Sequence, residues 1–452
     1  MKTSKLLALT GLLAAGFVGS ASAATEYLYI VGAPAYRSET IKSIKDYIAA
    51  NYPTTGANAA GVTAAYIASG TDYTTASAVQ WLIPNISAGN TLEINASFTG
   101  STAGVEAVSA GNFTQNFIAN GTGSVASPNL AVPKASVNVA YQPDVTFSDT
   151  FQATTPWSGS FKFATTSPST FSPVYTFSDL SSFATTVGIE PFVWVGSHGL
   201  AAKGVTNITT SQAALLYKYG RLPLAYFTGN SADESSFVYA LSRDPGSGSR
   251  LVAVSEIGVG AKSVIKTFQP VVSGATADSA GNYVGGTIAA PALTTSPGSV
   301  AHPSFPYYPA GQIKSTTVYD SNAGDTGYPS FGTTDQTGLL AAITATPPAG
   351  SYFITYLDIA DSLEAEGNGA HAEQLTYNGI TYSTTAVQEG LYTFWGYENV
   401  FPSVALNNAI TGTPTDQSNF LVGVQNAFEP AILPTALNVN RTVDGGPVFR
   451  NY

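Results

Sequence analysis

Residues 237–257 read Phe237-Val-Tyr-Ala-Leu241, then Ser242-Arg243-Asp244-Pro245-Gly246-Ser247-Gly248-Ser249, then Arg250-Leu-Val-Ala-Val-Ser-Glu-Ile257. The first run is short, apolar and aromatic and ends in a turn cluster, which predicts a strand. The second is built of small and turn-forming residues. The third carries an apolar stripe and predicts a helix from about Arg250 to Ile257. Where a tight turn opens into a helix, the first amide N–H groups have no intrahelical acceptor and the helix dipole adds partial positive charge. Such a junction suits an oxyanion. Gly lets the backbone come close and Ser adds a donor without bulk. This turn also carries an arginine, Arg243, which raises its interest above that of an ordinary glycine-serine turn.

The same grammar recurs on both sides. Glu26 to Val31 reads as a buried strand, followed by the turn Gly32-Ala33-Pro34 and a helix with Ser38 as N-cap and Ile41, Ile44 and Ile48 on one face. Thr91 to Phe98 is strand-like and precedes Thr99-Gly100-Ser101-Thr102-Ala103-Gly104, after which Val105 and Val108 begin a helical stripe. Asp144 to Phe147 is a short strand ending in Ser148-Asp149, Pro191 to Val195 is an apolar strand, and Ser211 opens a helix carrying Ala214, Leu215 and Tyr219. Strands alternating with helices predict an α/β class with mostly parallel sheets. Between these units, 111–143, 153–180 and 270–335 are rich in Ser, Thr, Gly, Pro and Ala, and read as long loop insertions with small β-excursions. No fixed-period repeat is visible.

Composition narrows the function classes. The 452 residues hold 17 Lys+Arg against 28 Asp+Glu, no Cys and only three His. An acidic chain without a basic face is not a nucleic-acid binder. The lack of Cys excludes disulfides, thiol catalysis, thiolate metal sites and a lipid-anchored cysteine. We find no Gly-x-Ser-x-Gly elbow, no His-Glu-x-x-His and no complete phosphate loop; Gly258 to Ser263 imitates only part of one. His198, His302 and His371 are scattered, and Gly196-Ser197-His198-Gly199 reads as a turn after a strand. No enzyme, cofactor or metal site is expected. At the N-terminus, Lys2 and Lys5, the apolar run Leu6 to Val18 and Ala21-Ser22-Ala23 form a signal-peptide pattern, with cleavage expected after Ala23. Removing Lys2 and Lys5 takes the net charge from −11 to −13. No later segment reaches 18 uninterrupted apolar residues, so an exported protein, periplasmic or extracellular and without a membrane span, is expected.

Taken together, four motifs resemble those of the phosphate-type solute-binding proteins of bacterial ABC transporters, which have the type II periplasmic binding protein fold. They are Gly32 to Arg37, Gly100-Ser101-Thr102-Ala103-Gly104-Val105, Phe147-Ser148-Asp149 and Arg243 to Ser249. The segment 191–229, with Pro-Phe-Val-Trp-Val before a helix and Tyr-Phe-Thr-Gly after it, agrees in order and spacing. The resemblance implies two α/β lobes around a cleft: a signal peptide 1–23, lobe one at 24–188 plus 389–452, and lobe two at 189–388. The return is expected near Gln388 to Trp395 and a C-terminal helix over Asp416 to Phe428. It further implies that Ser101, Ser247 and Ser249 donate hydroxyls to an oxyanion, most simply inorganic phosphate. The Gly248 and Ser249 amides join them, Arg243 supplies charge, and Asp149 accepts from a protonated phosphate oxygen. An ABC transporter permease is the implied partner.

Two departures stand out. The first turn, Gly32-Ala33-Pro34-Ala35, lacks the hydroxyl residue of the family, and Pro245 replaces the acid before Gly-Ser-Gly, with Asp244 one position earlier. They motivate an alternative, a binding-protein fold reused as an extracellular structural or adhesive protein. A further reading is carbohydrate recognition by exposed aromatics such as Trp157 and Trp395.

Overall fold

The computed structural model describes residues 24–52, 63–67, 76–87, 89–111, 113–120, 132–133, 139–155, 157, 159–164, 171–243, 246–260, 265–268, 272–277, 283–288, 301–302, 312–313, 333–334, 336–367 and 372–451. The expected signal peptide, Asp244, Pro245, His371 and most of the insertion 270–335 lie outside the described residues.

Among the described residues the molecule is α/β, with one sheet of 13 strands as its spine. The strands that matter here are β1 (Thr25–Gly32), β2 (Thr63–Ile67), β3 (Ala78–Ile83), β4 (Thr91–Ser97), β5 (Val145–Ser148), β6 (Thr185–Gly196), β7 (Arg221–Pro223), β8 (Phe237–Ala240), β9 (Ser351–Asp358), β10 (Glu373–Tyr377) and β11 (Trp395–Pro402). Their order is β7-β8-β9-β6-β11-β5-β1-β4-β3-β2, with β10 also paired to β6. The expected parallel pairing is found at β5–β1, β1–β4 and β8–β9. Around these pairs, β7–β8, β9–β6, β6–β11, β11–β5, β4–β3 and β3–β2 are antiparallel. Apart from β7–β8 at the sheet edge, the antiparallel pairs arise where β6 and β11 carry the chain across the middle of the sheet and where the β2–β3–β4 meander needs no helical crossover.

Helices α1 (Arg37–Asn51), α2 (Ser101–Ala110), α3 (Thr210–Tyr219), α4 (Gly248–Glu256), α5 (Ile359–Gly367), α6 (Val404–Thr411) and α7 (Asp416–Asn426) cover the sheet. Because β1 is buried on both faces, its residues alternate between two cores. Leu28 and Ile30 join Ile41, Ile44, Phe420 and Val424, whereas Tyr29 and Val31 join Val105, Val108 and Trp157. A third core, centred on Trp194, Tyr217, Tyr356 and Phe394, fills the region beyond Ile189. Trp157 and Trp395 are both fully buried, which corrects the reading of exposed aromatics for carbohydrate.

Several element ends differ from the sequence reading. α1 starts at Arg37 with Tyr36 in the cap position and no side-chain cap, so Ser38 is inside the helix. α3 is capped by Thr209 in a capping box with Gln212. α4 starts at Gly248, two residues early, because Ser247 takes the cap and accepts from the Arg250 amide. α7 ends at Asn426 and not at Phe428.

β6 is the connector. Residues 185–191 pair with β11, and Phe192 to Gly196 pair with β9. β11 runs beside it and continues onto β5. The C-terminal segment then straps across the middle. Ile432, Leu437 and Val439, in the stretch that the resemblance assigns to lobe one, pack in the third core. Arg441 pairs with Glu256 at 3.2 Å, stacks 4.1 Å over the Trp395 ring and donates to the Thr393 carbonyl. Asp444 accepts from the Phe151 amide at 2.9 Å. Among the described residues no helix is long and apolar enough to cross a membrane.

Candidate functional site

The turns that the sequence singles out meet at one buried junction, held by close backbone approaches. After β1, the Ala33 amide donates to the Phe147 carbonyl at 3.0 Å, and a side chain at Gly32 would lie 2.6 Å from that oxygen. The turn before α2 is tied to the first, with the Gly100 amide donating to the Gly32 carbonyl at 3.1 Å. Gly100 has φ +147°, and a side chain there would run into the Gly246 carbonyl. No side chain caps α2. Instead, the Gly246 carbonyl accepts from the Thr102 and Ala103 amides at 3.1 and 3.3 Å. A peptide oxygen from 143 residues further along thus occupies the donors that an oxyanion would use.

Gly248, at the start of α4, faces the end of β5. A Cβ on Gly248 would overlap Asp149 Oδ1 and lie 2.6 Å from Ser101 Cβ, so Ser101, Asp149 and Gly248 are in direct contact. Arg243 is buried, and its charge acts on Asp149. Burial pushes the Asp149 carboxyl up to about 6, against the pull of the Ser101 hydroxyl and the Arg243 guanidinium. The Ser247 and Ser249 hydroxyls bond to each other at 2.8 Å, and Ser247 also caps α4. All six residues singled out for binding therefore lie in this neighbourhood. Ser101, Asp149 and Gly248 touch, Arg243 acts electrostatically, and the two serines are spent on each other.

Four groups at the junction were not anticipated: Tyr36, Arg37, Glu190 and Glu398. Burial depresses the Arg37 guanidinium, Asp361 and Asp358 oppose that, and the charge of Arg243 adds to it, so two arginines face the same region. Glu190 and Glu398 stand on the paired crossing strands, with Glu190 opposite Gly396 and Glu398 opposite Gly188. Residues two apart in a strand share a face, so both acids project from the face that carries these glycines. The Tyr36 hydroxyl sits where a Gly188 side chain would be, and the Asp149 carbonyl sits where a Gly396 side chain would be. The acids therefore form a floor beside Asp149. Burial drives the Glu398 carboxyl well up, with the charges of Asp149 and Glu39 adding to the effect. Glu190 is raised likewise by burial, then by Asp358, Glu39, Glu398 and Asp149. The signal was present in the sequence: Gly188-Ile189-Glu190 and Gly396-Tyr397-Glu398 are the same Gly-x-Glu triplet, each a lone acid inside an apolar strand. Among the described residues no group of three or more His, Asp or Glu side chains is placed to hold a metal ion. His198 is exposed in a turn, remote from any such role.

No family model matches the chain, and no curated protein matches it. Among solved structures it is similar to a phosphate ABC transporter substrate-binding protein from Clostridium perfringens, solved with bound phosphate, and to an ABC-type phosphate transport receptor from Vibrio cholerae. Each is 8% identical with a TM-score of 0.35, over 88% of this chain and 93% of the other. PstS from Borrelia burgdorferi is 10% identical with a TM-score of 0.33, over 87% of this chain and 96% of the other.

Proposed function

We propose that this chain is an exported solute-binding protein that takes up an oxyanion, phosphate first, and hands it to an ABC transporter permease. The observation that carries the reading is the meeting of α2's N-terminus, Arg243 and Asp149 at one buried point, from segments far apart in sequence. Amides and a guanidinium supply donors for the anion. A carboxylate with its pKa near 6 accepts from a protonated phosphate oxygen, which fully ionised sulfate does not offer. The Gly246 carbonyl stands in for one ligand oxygen on the Thr102 and Ala103 amides. Uptake then requires the halves joined by β6 and β11 to part, the peptide oxygen to withdraw and the halves to close on the anion.

The test is thermal unfolding after denaturation and refolding to strip bound anion. A ligand at 100 times its dissociation constant stabilises by about 2.7 kcal/mol, a clear upward shift in Tm. A Tm unmoved by millimolar phosphate and by millimolar organic phosphate esters sinks this reading. It would favour the second one, a binding-protein fold reused as an extracellular structural or adhesive protein. That reading draws on the same Gly246 contact, taken as permanent, and on the strap of Arg441 and Asp444 across the middle.

A further inference from the structure

The floor of the junction is chemically unlike its walls. The walls present α2's N-terminus, Arg243 and Arg37, all suited to negative charge. The floor presents Glu190 and Glu398, with Glu39 from α1 close enough to act on both. Among the described residues, two polar groups there have no hydrogen-bond partner. Both carboxyl oxygens of Glu398, which is 0% exposed, are unpartnered, and so is the Tyr36 hydroxyl, on a residue 1% exposed. The Tyr36 hydroxyl points among Glu398, Glu190 and Glu39, whose charges all bear on it. An unpaired buried acid is costly, and leaving a buried hydroxyl unbonded adds to that cost. A cationic donor would draw these buried acids into their charged form and satisfy carboxylate and hydroxyl together.

The two halves of the site are close. Glu190 is directly opposite Gly396, over which the Asp149 carbonyl lies, and Glu398 is two residues along the same strand. Opposite residues on antiparallel strands are about 5 Å apart, and diagonal ones about 7–8 Å. The acids thus flank the residue against which the Asp149 main chain packs. Resting on the oxyanion reading above, we infer that the ligand is a zwitterionic organophosphate. Its phosphate head would lie at α2, Arg243 and Asp149, and its ammonium group among Glu398, Glu190 and the Tyr36 hydroxyl. Inorganic phosphate fills only the first part of such a site and leaves the carboxyl floor unanswered.

Titration calorimetry on the refolded full chain separates the possibilities, using phosphoethanolamine, ethyl phosphate and inorganic phosphate as probes. Phosphoethanolamine is expected to bind at least ten-fold more tightly than ethyl phosphate, which has the same head and spacer without the amine. In Glu398→Gln, which keeps shape and removes the acid, that preference should collapse to within two-fold. Tyr36→Phe should reduce it as well, without introducing or removing a charge. Equal affinities for the two esters in the wild type, or a preference that survives Glu398→Gln, overturns the zwitterion inference and leaves the oxyanion reading standing. Binding of inorganic phosphate alone does the same. Failure of all three probes to bind overturns the oxyanion reading, and this inference with it.

Discussion

Gly248 is the first residue of α4, a position where Ala would ordinarily be as good or better for the helix, by about 0.5–1 kcal/mol in a helix interior. Here the space that a methyl group needs is filled by Asp149 Oδ1 and Ser101 Cβ. Gly248→Ala is therefore expected to destabilise the fold, by the about 1–3 kcal/mol typical of overpacking, and to push Asp149 off Ser101. Urea unfolding would show it; a midpoint equal to or above the wild type's would mean that Asp149 is not packed on α4. At this scale the sequence was informative about residue type. Gly and Ser in turns that open helices drew attention to these turns, and the family resemblance then singled out Ser101, Ser247, Gly248, Ser249 and Asp149. It was silent on who occupies the donors. The Gly246 carbonyl reaches the α2 amides across 143 residues, and a backbone oxygen leaves no trace in residue identity. Tyr36 and Arg37 were missed because each looks like part of an ordinary helix start.

Elements were legible where local pattern alone decides them. β1 and α1, β4 and α2, and β8 and α4 all follow from apolar runs interrupted by small residues. Their ends shifted where a cap chose the boundary, as Ser247 does for α4. The roles of β6 and β11 were harder to read, because pairing partners are set by the whole sheet. The C-terminal strap was illegible, since its hold depends on Arg441 meeting Glu256 from α4 and Trp395 from β11. Both charges of that pair are nearly or fully buried. Burial raises the Glu256 carboxyl, and Arg441 is the strongest influence opposing it. Arg441→Met would leave Glu256 buried without its partner, a loss of about 3–5 kcal/mol. Adding Glu256→Gln should recover a large part of it, because the uncompensated charge is then gone. If the double variant is no more stable than Arg441→Met, measured by urea unfolding, the ion pair is not what fastens the strap.

For the whole molecule, the scarcity of charge in the sequence hides how many of the acids are inside. Asp144 and Asp149 are raised to about 6 and Asp444 to about 7, each mainly by burial. Glu190, Glu398 and Asp358 are likewise raised well above the usual carboxylate range, first by burial. Arg243 draws Asp149 down, and Arg441 draws Asp444 down while Asp149 pushes it up, but burial outweighs them. An unfolded Asp titrates near about 3.9, so between that pH and 6–7 the folded chain holds more protons than the unfolded one. Folding stability therefore falls as pH rises through this window. It levels off for these three aspartates above about 7. The expected result is a higher Tm at pH 5 than at pH 8 in phosphate-free buffer. A Tm that is flat or climbs from pH 5 to 8 would mean these carboxyls are ionised and paired in the folded state.

The place of β11 in the sheet also has a consequence in time. It lies between β6 and β5 and is followed by α6 and α7, of which α7 packs on β1 and α1. The middle of the sheet is thus made from the last part of the chain. The β5 edge, complete by Ser148, waits for a partner that begins at Trp395, roughly 250 residues later and about 10–50 s away at ordinary synthesis rates. During that interval an unpaired edge is open to any other strand that arrives. A chain that stops before β11 is not a smaller version of this protein but two open half-sheets in search of neighbours.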